Sequence, residues 1–244
     1  MKPSDGPAAA LASADLELVV VALRDLGVGS DSGTAAEYGY PNLPLCLVDA
    51  VFSLREPYSQ VRCTVVRFGR YWDANFGPPR AKSPELRLST FTRVAEIIPA
   101  EQLARDMFQD AHKAPGCRGL LKAAVVVDLA QRLCGAGIET REDVLMDEHQ
   151  TALHKAVTNT KGIGPVGLRY LRMLCGDEHE AKPDVWIHRF LEEDVLTRSV
   201  SEDEAVGLLR AATEIIRADV PWLTLRAVDH AVWLHKSGNR QVDC

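Results

Sequence analysis

At 244 residues, with 46% apolar and 25% charged side chains, the chain can bury a substantial core and has the make-up of an ordinary globular protein. Its formal net charge of −6 argues against a generic nucleic-acid coat, which would be basic throughout. No run of about 18 apolar residues is present to span a membrane, the opening MKPSDGPAAALASADLE lacks the features of a secretion signal, and the six cysteines show no CxxC spacing. Reduced thiols in a cytoplasmic protein are therefore expected, without a zinc site or disulfide framework.

In chain order, residues 1–10 are small and polar and are expected to be disordered. From Ser13, an N-cap residue type, Leu16, Val19, Val20, Leu23 and Leu26 recur at helical spacing until Gly27 and Gly29 end the pattern. SDSGTAAEYGYPN reads as a loop. Leu43–Leu54 is apolar almost throughout, which implies a helix buried on all sides. Asp49 is its one charge, and a buried acid needs partners; it is either hydrogen-bonded support for the core or a contributor to an active site. Residues 58–72 alternate apolar and basic groups as an amphipathic helix would, with a strand at 61–68 as the alternative. Residues 77–87 read as a proline-rich basic loop, followed by helices at about 97–112 and 118–134. Lys122, in the second of these, reads as a surface lysine, with a position facing nucleic acid as the alternative.

His149–Thr158 and residues 165–175 form two helical arms around Gly162-Ile163-Gly164, with Pro165 at a first helical position and Gly176 as a C-terminal cap. The glycines allow a tight turn with exposed amides at a positive helix end, a natural seat for a phosphate. Asp184, eighteen positions after Val166, opens the next helix, Val185–Leu196. Glu202–Ile216, opened by the capping-box pair Ser201 and Glu204, and Leu223–His235 complete the chain. With no sustained period-two alternation, the fold class is all-α. Charge is segregated. Arg62, Arg67, Arg70, Arg80, Lys82, Arg87 and Arg93 face only Asp73 and Glu85 between residues 62 and 93, and Lys155, Lys161, Arg169 and Arg172 lie in an acid-free run. Acids gather at 142–148, 177–180, 192–194 and 202–204. Such a distribution suits one face that meets phosphates, or a solvated surface with no partner.

The Gly-Ile-Gly turn, followed at this spacing by Lys182-Pro183-Asp184 and Val185-Trp186-Ile187-His188-Arg189, resembles the helix-hairpin-helix/Gly-Pro-Asp (endonuclease III-like) DNA glycosylase superfamily. The likeness runs back through residues 43–176 and more loosely to both ends. It implies two helical subdomains flanking a DNA-binding cleft: residues 1–42 with a helix packing on the C-terminal subdomain, residues 43–176 ending in the hairpin, and residues 177–244 carrying Asp184. Also implied are a double-stranded DNA partner, a monomer, and no iron-sulfur cluster, since residues 200–243 contain no cysteine to hold one. On the same grounds Asp184 is the expected catalytic residue. Lys161 and the amides around Gly162, Gly164 and Val166 would grip the DNA backbone, and the carbonyls of Thr158, Thr160 and Ile163 would hold a monovalent cation, the only cofactor implied. Arg55, Tyr58 and Gln60 belong to a loop that opens the strand, with Asp49 near the base pocket; Tyr58 is equally readable as an ordinary first-turn helix residue.

Cutting a base from its sugar requires a grip on phosphates, extrusion of one nucleotide and stabilisation of positive charge at the anomeric carbon. Asp184 would face that charge and orient water, although an aspartate also opens a helix for purely structural reasons. Relatives that also cut the strand use a lysine where this chain has Val166. The resemblance thus implies a monofunctional glycosylase that leaves an abasic site, in DNA repair or in defence against phage DNA with hypermodified bases. The alternatives are a non-catalytic helix-hairpin-helix DNA-binding protein and a helical interaction protein unrelated to nucleic acid.

Overall fold

The computed structural model describes residues 7–29, 39–77 and 80–238, with the backbone alone for 7–12. Its regular elements are helical, and no strand occurs among the described residues, where a single bridge joins Lys113 and Leu121. Two compact units result, Met1–Glu37 with Glu178–Arg240, and Tyr38–Asp177 with Gln241–Cys244.

The unit of residues 38–177 is built around α2 (Leu43–Phe52), every residue of which is buried. Asn42 caps it by accepting the Leu45 N–H at 3.2 Å, and its own amide donates to Ala81 O and Ser83 O at 2.7 and 3.1 Å. One side chain thus starts the central helix and ties down the segment that follows α3 (Tyr58–Phe76). In α3, Val61, Thr64, Val65, Phe68 and Trp72 turn inward at helical spacing, so the strand alternative fails. Phe68 packs on Phe108 at 5.9 Å between ring centroids and on Phe91 at 6.0 Å. Burial of each such ring contributes roughly 1.5–3 kcal/mol.

Residues 88–97 depart from the sequence reading, being helical (α4, Leu88–Ile97). No side chain caps α4; its first amide, Leu88 N–H, is bound by the carbonyl of Glu139 at 3.0 Å, a partner far along the chain that local patterns do not reveal. The helix expected at 97–112 is α5 (Ala100–Gln102), continued as a π-helix over Leu103–Phe108 and stopped by Gln109 at φ 47°. The next, α6 (Lys122–Gly135), begins four residues later than expected, because Gly116 and Gly119 sit at positive φ. Then come α7 (Arg141–Leu145), α8 (Gln150–Asn159) and α9 (Pro165–Cys175).

The other unit packs α1 (Pro7–Asp25) against α11 (Glu202–Ile216), and α10 (Val185–Arg189) against α12 (Leu225–Ser237). Val19, Val20 and Leu23 meet Leu209, Ala212 and Ile216 in a separate core. Helix α1 starts at Pro7, inside the stretch expected to be disordered; residues 1–6 lie outside the described ones. After α10 the chain runs into a π-helical turn, Phe190–Val195, closed by Leu196 N–H to Leu191 O at 2.7 Å. Ser201 caps α11 through the Glu204 N–H, while the Glu204 carboxylate goes to Arg198 at 2.6 Å instead of completing a capping box. Cys46, Cys117, Cys134 and Cys175 are free thiols. No described helix is long and apolar enough to cross a membrane.

Candidate functional site

Helices α8 and α9 are joined by the turn Thr160–Gly164. Gly162 has φ 93°, and a Cβ there would lie 2.7 Å from Ala114 Cβ and 3.1 Å from Val125 Cγ2, so the position requires glycine on two counts. Gly167 is constrained by space alone, since a Cβ would stand 2.4 Å from Ile163 Cγ1; its absence lets buried Ile163 seat against α9. The sequence reading passed over Gly167. Gly164 is different. Its backbone is extended (φ −128°, ψ −169°) and a Cβ would point into open space, so nothing inside the protein demands glycine there. The first helical bond of α9 runs from Leu168 N–H to Gly164 O, which leaves the amides of Val166 and Gly167 in the donor-rich first turn, with Pro165 ahead of them. Lys161 is exposed beside the turn. Thr160 is buried, its hydroxyl donating to Ala156 O at 2.9 Å, and the Thr158 hydroxyl donates to His154 O at 2.5 Å. Arg172, counted on sequence among the residues that meet phosphates, is engaged within the protein: its guanidinium clasps Gln150 on α8 and pairs with Asp177 at 2.6 Å.

In the same unit Asp49 is fully buried. Its Oδ2 accepts the Tyr40 hydroxyl at 2.7 Å, and the Tyr170 hydroxyl also bonds the carboxylate. Burial first, then the Asp49 charge, pushes both phenols far above their ordinary range, so both act as neutral donors. Tyr58, at the start of α3, is 37% exposed and close enough to perturb both tyrosines electrostatically. Arg55 stands exposed at φ 58°, and Gln60 is exposed in the first turn of α3. The structure thus gathers Asp49, Tyr40, Tyr58 and Tyr170, with Arg55 and Gln60 on the neighbouring surface.

Lys122 contradicts its surface assignment, for it has no exposed area. Its ammonium donates to Phe52 O at 3.0 Å and Leu54 O at 2.8 Å and lies 3.3 Å from Glu56. Burial lowers its pKa, while Glu56 and Asp110 oppose that shift. The residue fastens the end of α2 and the loop bearing Arg55 from beneath.

In the other unit Asp184 is the N-cap of α10. Oδ1 accepts the Trp186 N–H at 2.8 Å, Oδ2 lies 3.9 Å from Lys182 Nζ, and about a quarter of the side chain is exposed. The carboxylate is oriented by the helix and reachable from solvent. It also has company that the sequence reading missed. Asp229 on α12 accepts the Lys182 N–H at 2.8 Å. Burial, and after it the charge of Asp184, raises Asp229 to about 7, against the Lys182 amide and the Lys182 and Arg226 charges. Nearby His230 is held down at about 4, by burial first and then by Arg226. His188 faces Glu192 at 3.3 Å. A signal for Asp229 existed: Leu225, Val228, Asp229 and Val232 follow the spacing of a buried stripe, with an acid in one of its places.

An all-helical protein in two units is therefore defined, one bearing a glycine turn between helices and the other a helix-capping acid with a second carboxyl beside it. A family model for a domain of unknown function, DUF8548, matches residues 17–237, and the chain belongs to that family. No curated protein and no solved structure shows significant similarity to it.

Proposed function

We propose that the protein is a monofunctional DNA glycosylase that flips out a damaged or modified base and hydrolyses its N-glycosidic bond. The observation that carries this reading is Asp184: an accessible carboxylate with one oxygen fixed by the Trp186 amide and the other left toward Lys182, in a chain that also holds the Gly162–Pro165 turn. The fixed oxygen sets the direction of the group; the other faces the sugar, stabilises positive charge at C1′ as the base departs and orients the water that adds there. The proton lost by that water leaves with the base or passes to solvent.

Gly164 supports the grip on DNA, because its open surroundings let a phosphate approach the amides of Val166 and Gly167 without a side chain in the way. Charge supports it as well. Residues 38–177 hold 18 basic and 15 acidic side chains, and the rest of the chain 10 basic and 19 acidic. Arg62, Arg70, Arg80, Lys82, Arg87 and Arg93 are all exposed in the former unit. A monovalent cation at the carbonyls of Thr158, Thr160 and Ile163 remains part of the proposal, as does strand opening by Tyr58. Val166 offers no amine for a Schiff base, so the product is an intact abasic strand.

The test is incubation with a panel of genomic DNAs, including phage DNAs with modified cytosines, and identification of any released base by mass. Release from none of them removes the proposal. A second reading, a DNA-binding protein without catalysis, is favoured by the Trp186 bond, which explains Asp184 as a cap alone; it predicts duplex binding with no base released.

A further inference from the structure

Lys182 is held by both aspartates at once. Its amide donates to Asp229, its carbonyl accepts the Asp184 N–H at 2.7 Å, and its ammonium stands 3.9 Å from the Asp184 carboxylate. The turn that presents Asp184 is therefore pinned by a carboxyl from a helix more than forty residues away in sequence. A backbone N–H can be bound by many groups, and an amide or hydroxyl would serve without charge. A carboxyl beside a second carboxyl is costly, and burial increases the cost.

We infer that Asp229 is a positioning residue for Asp184: it fixes the Lys182–Asp184 turn through the Lys182 amide and, by gaining or losing a proton, changes the negative charge that a sugar cation at Asp184 would feel. The inference rests on the glycosylase reading of Asp184 but can be tested apart from it. The groups that face Asp229 are Asp184 and Lys182 from the turn before α10, and Arg226 on its own helix; His230 follows it in sequence. From α11, packed alongside, the buried face consists of apolar side chains and Thr213. With Asp229 titrating at about 7, a second carboxylate charge beside Asp184 is absent below neutrality and present above it. The second charge favours the cationic transition state, so base release should rise through neutral pH, on the order of tenfold for a partly screened interaction.

Asp229→Asn is the informative variant, since asparagine can still accept the Lys182 amide. Carbon-detected NMR of the free protein should show an aspartate carboxyl titrating near neutrality that disappears in Asp229→Asn and moves to lower pH in Asp184→Asn. The second variant reports the coupling should the first fail to fold. On a DNA from which the wild type releases a base, Asp229→Asn should lose the rise through neutral pH and keep the low-pH rate. Absence of a near-neutral carboxyl, or its indifference to Asp184→Asn, overturns the coupling even if the enzyme is active. Coupling seen by NMR with no base released from any DNA overturns the glycosylase reading and leaves the pair standing.

Discussion

The ammonium of Lys122 lies 3.3 Å from the carboxylate of Glu56, completely enclosed, in a chain whose other lysines with described burial all keep some exposed surface. With the carbonyls of Phe52 and Leu54 it closes the C-terminal end of the central helix and sets the path of the chain through Arg55. Lys122→Met would leave two carbonyls and a carboxylate without their donor. A loss of about 3 kcal/mol is expected, read as a lower urea midpoint.

The two turn glycines should separate folding from binding. Gly162→Ala meets Ala114 at 2.7 Å in a left-handed backbone and should cost about 2 kcal/mol or more. Gly164→Ala meets nothing, so its stability should stay within about 0.5 kcal/mol of wild type while duplex affinity falls, by fluorescence anisotropy at fixed salt. Equal affinity in Gly164→Ala would show that no phosphate sits at these amides.

Asparagine caps helices about as well as aspartate, so Asp184→Asn should fold and bind duplex DNA normally. Base release, scored by alkali-induced strand cleavage, should drop by roughly 10²–10⁴. Unchanged activity would remove Asp184 from the chemistry.

Val166 offers no amine to form a Schiff base, so under the proposed function wild-type protein should leave strands whole until alkali is added. Efficient nicking on a neutral gel would mean that another amine, with exposed Lys161 the first to replace, reaches the sugar.

Asp229 also shapes stability against pH. Its folded value of about 7 lies above the ordinary carboxyl value of 3.8, so the folded state holds the proton more tightly than the unfolded chain. Stability from this group is present in full below about pH 3.8 and is lost as pH rises through 7. His230, lowered to about 4 from 6.5, acts in the opposite sense, adding stability as pH rises across that interval. Asp229→Asn should therefore be more stable than wild type at pH 8, by a few kcal/mol, and close to it at pH 4; urea midpoints at the two pH values decide this.

The all-helical class was legible because apolar spacing along Leu43–Phe52, Pro165–Cys175 and Glu202–Ile216 reports each helix locally. Asp49 was legible for the same reason, as one charge in an apolar run. Helix α4 was not, since its first amide depends on Glu139; nor was Lys122, whose long stem gives no periodic sign that its charge ends among carbonyls from another helix. Asp229 was not legible either. It occupies a stripe position as Asp49 does, but among residues whose mixed character disguises the stripe.

The turn Phe190–Val195 holds one residue more than an α-helical turn would close over. Each residue added to a helix swings everything beyond it by about 100°. Deleting one there would twist the short helix about its axis and aim its capping acid elsewhere, with both aspartates still in the chain. The extra residue works as a clock setting, and indels at 190–195 should be as damaging as point changes at the acids themselves.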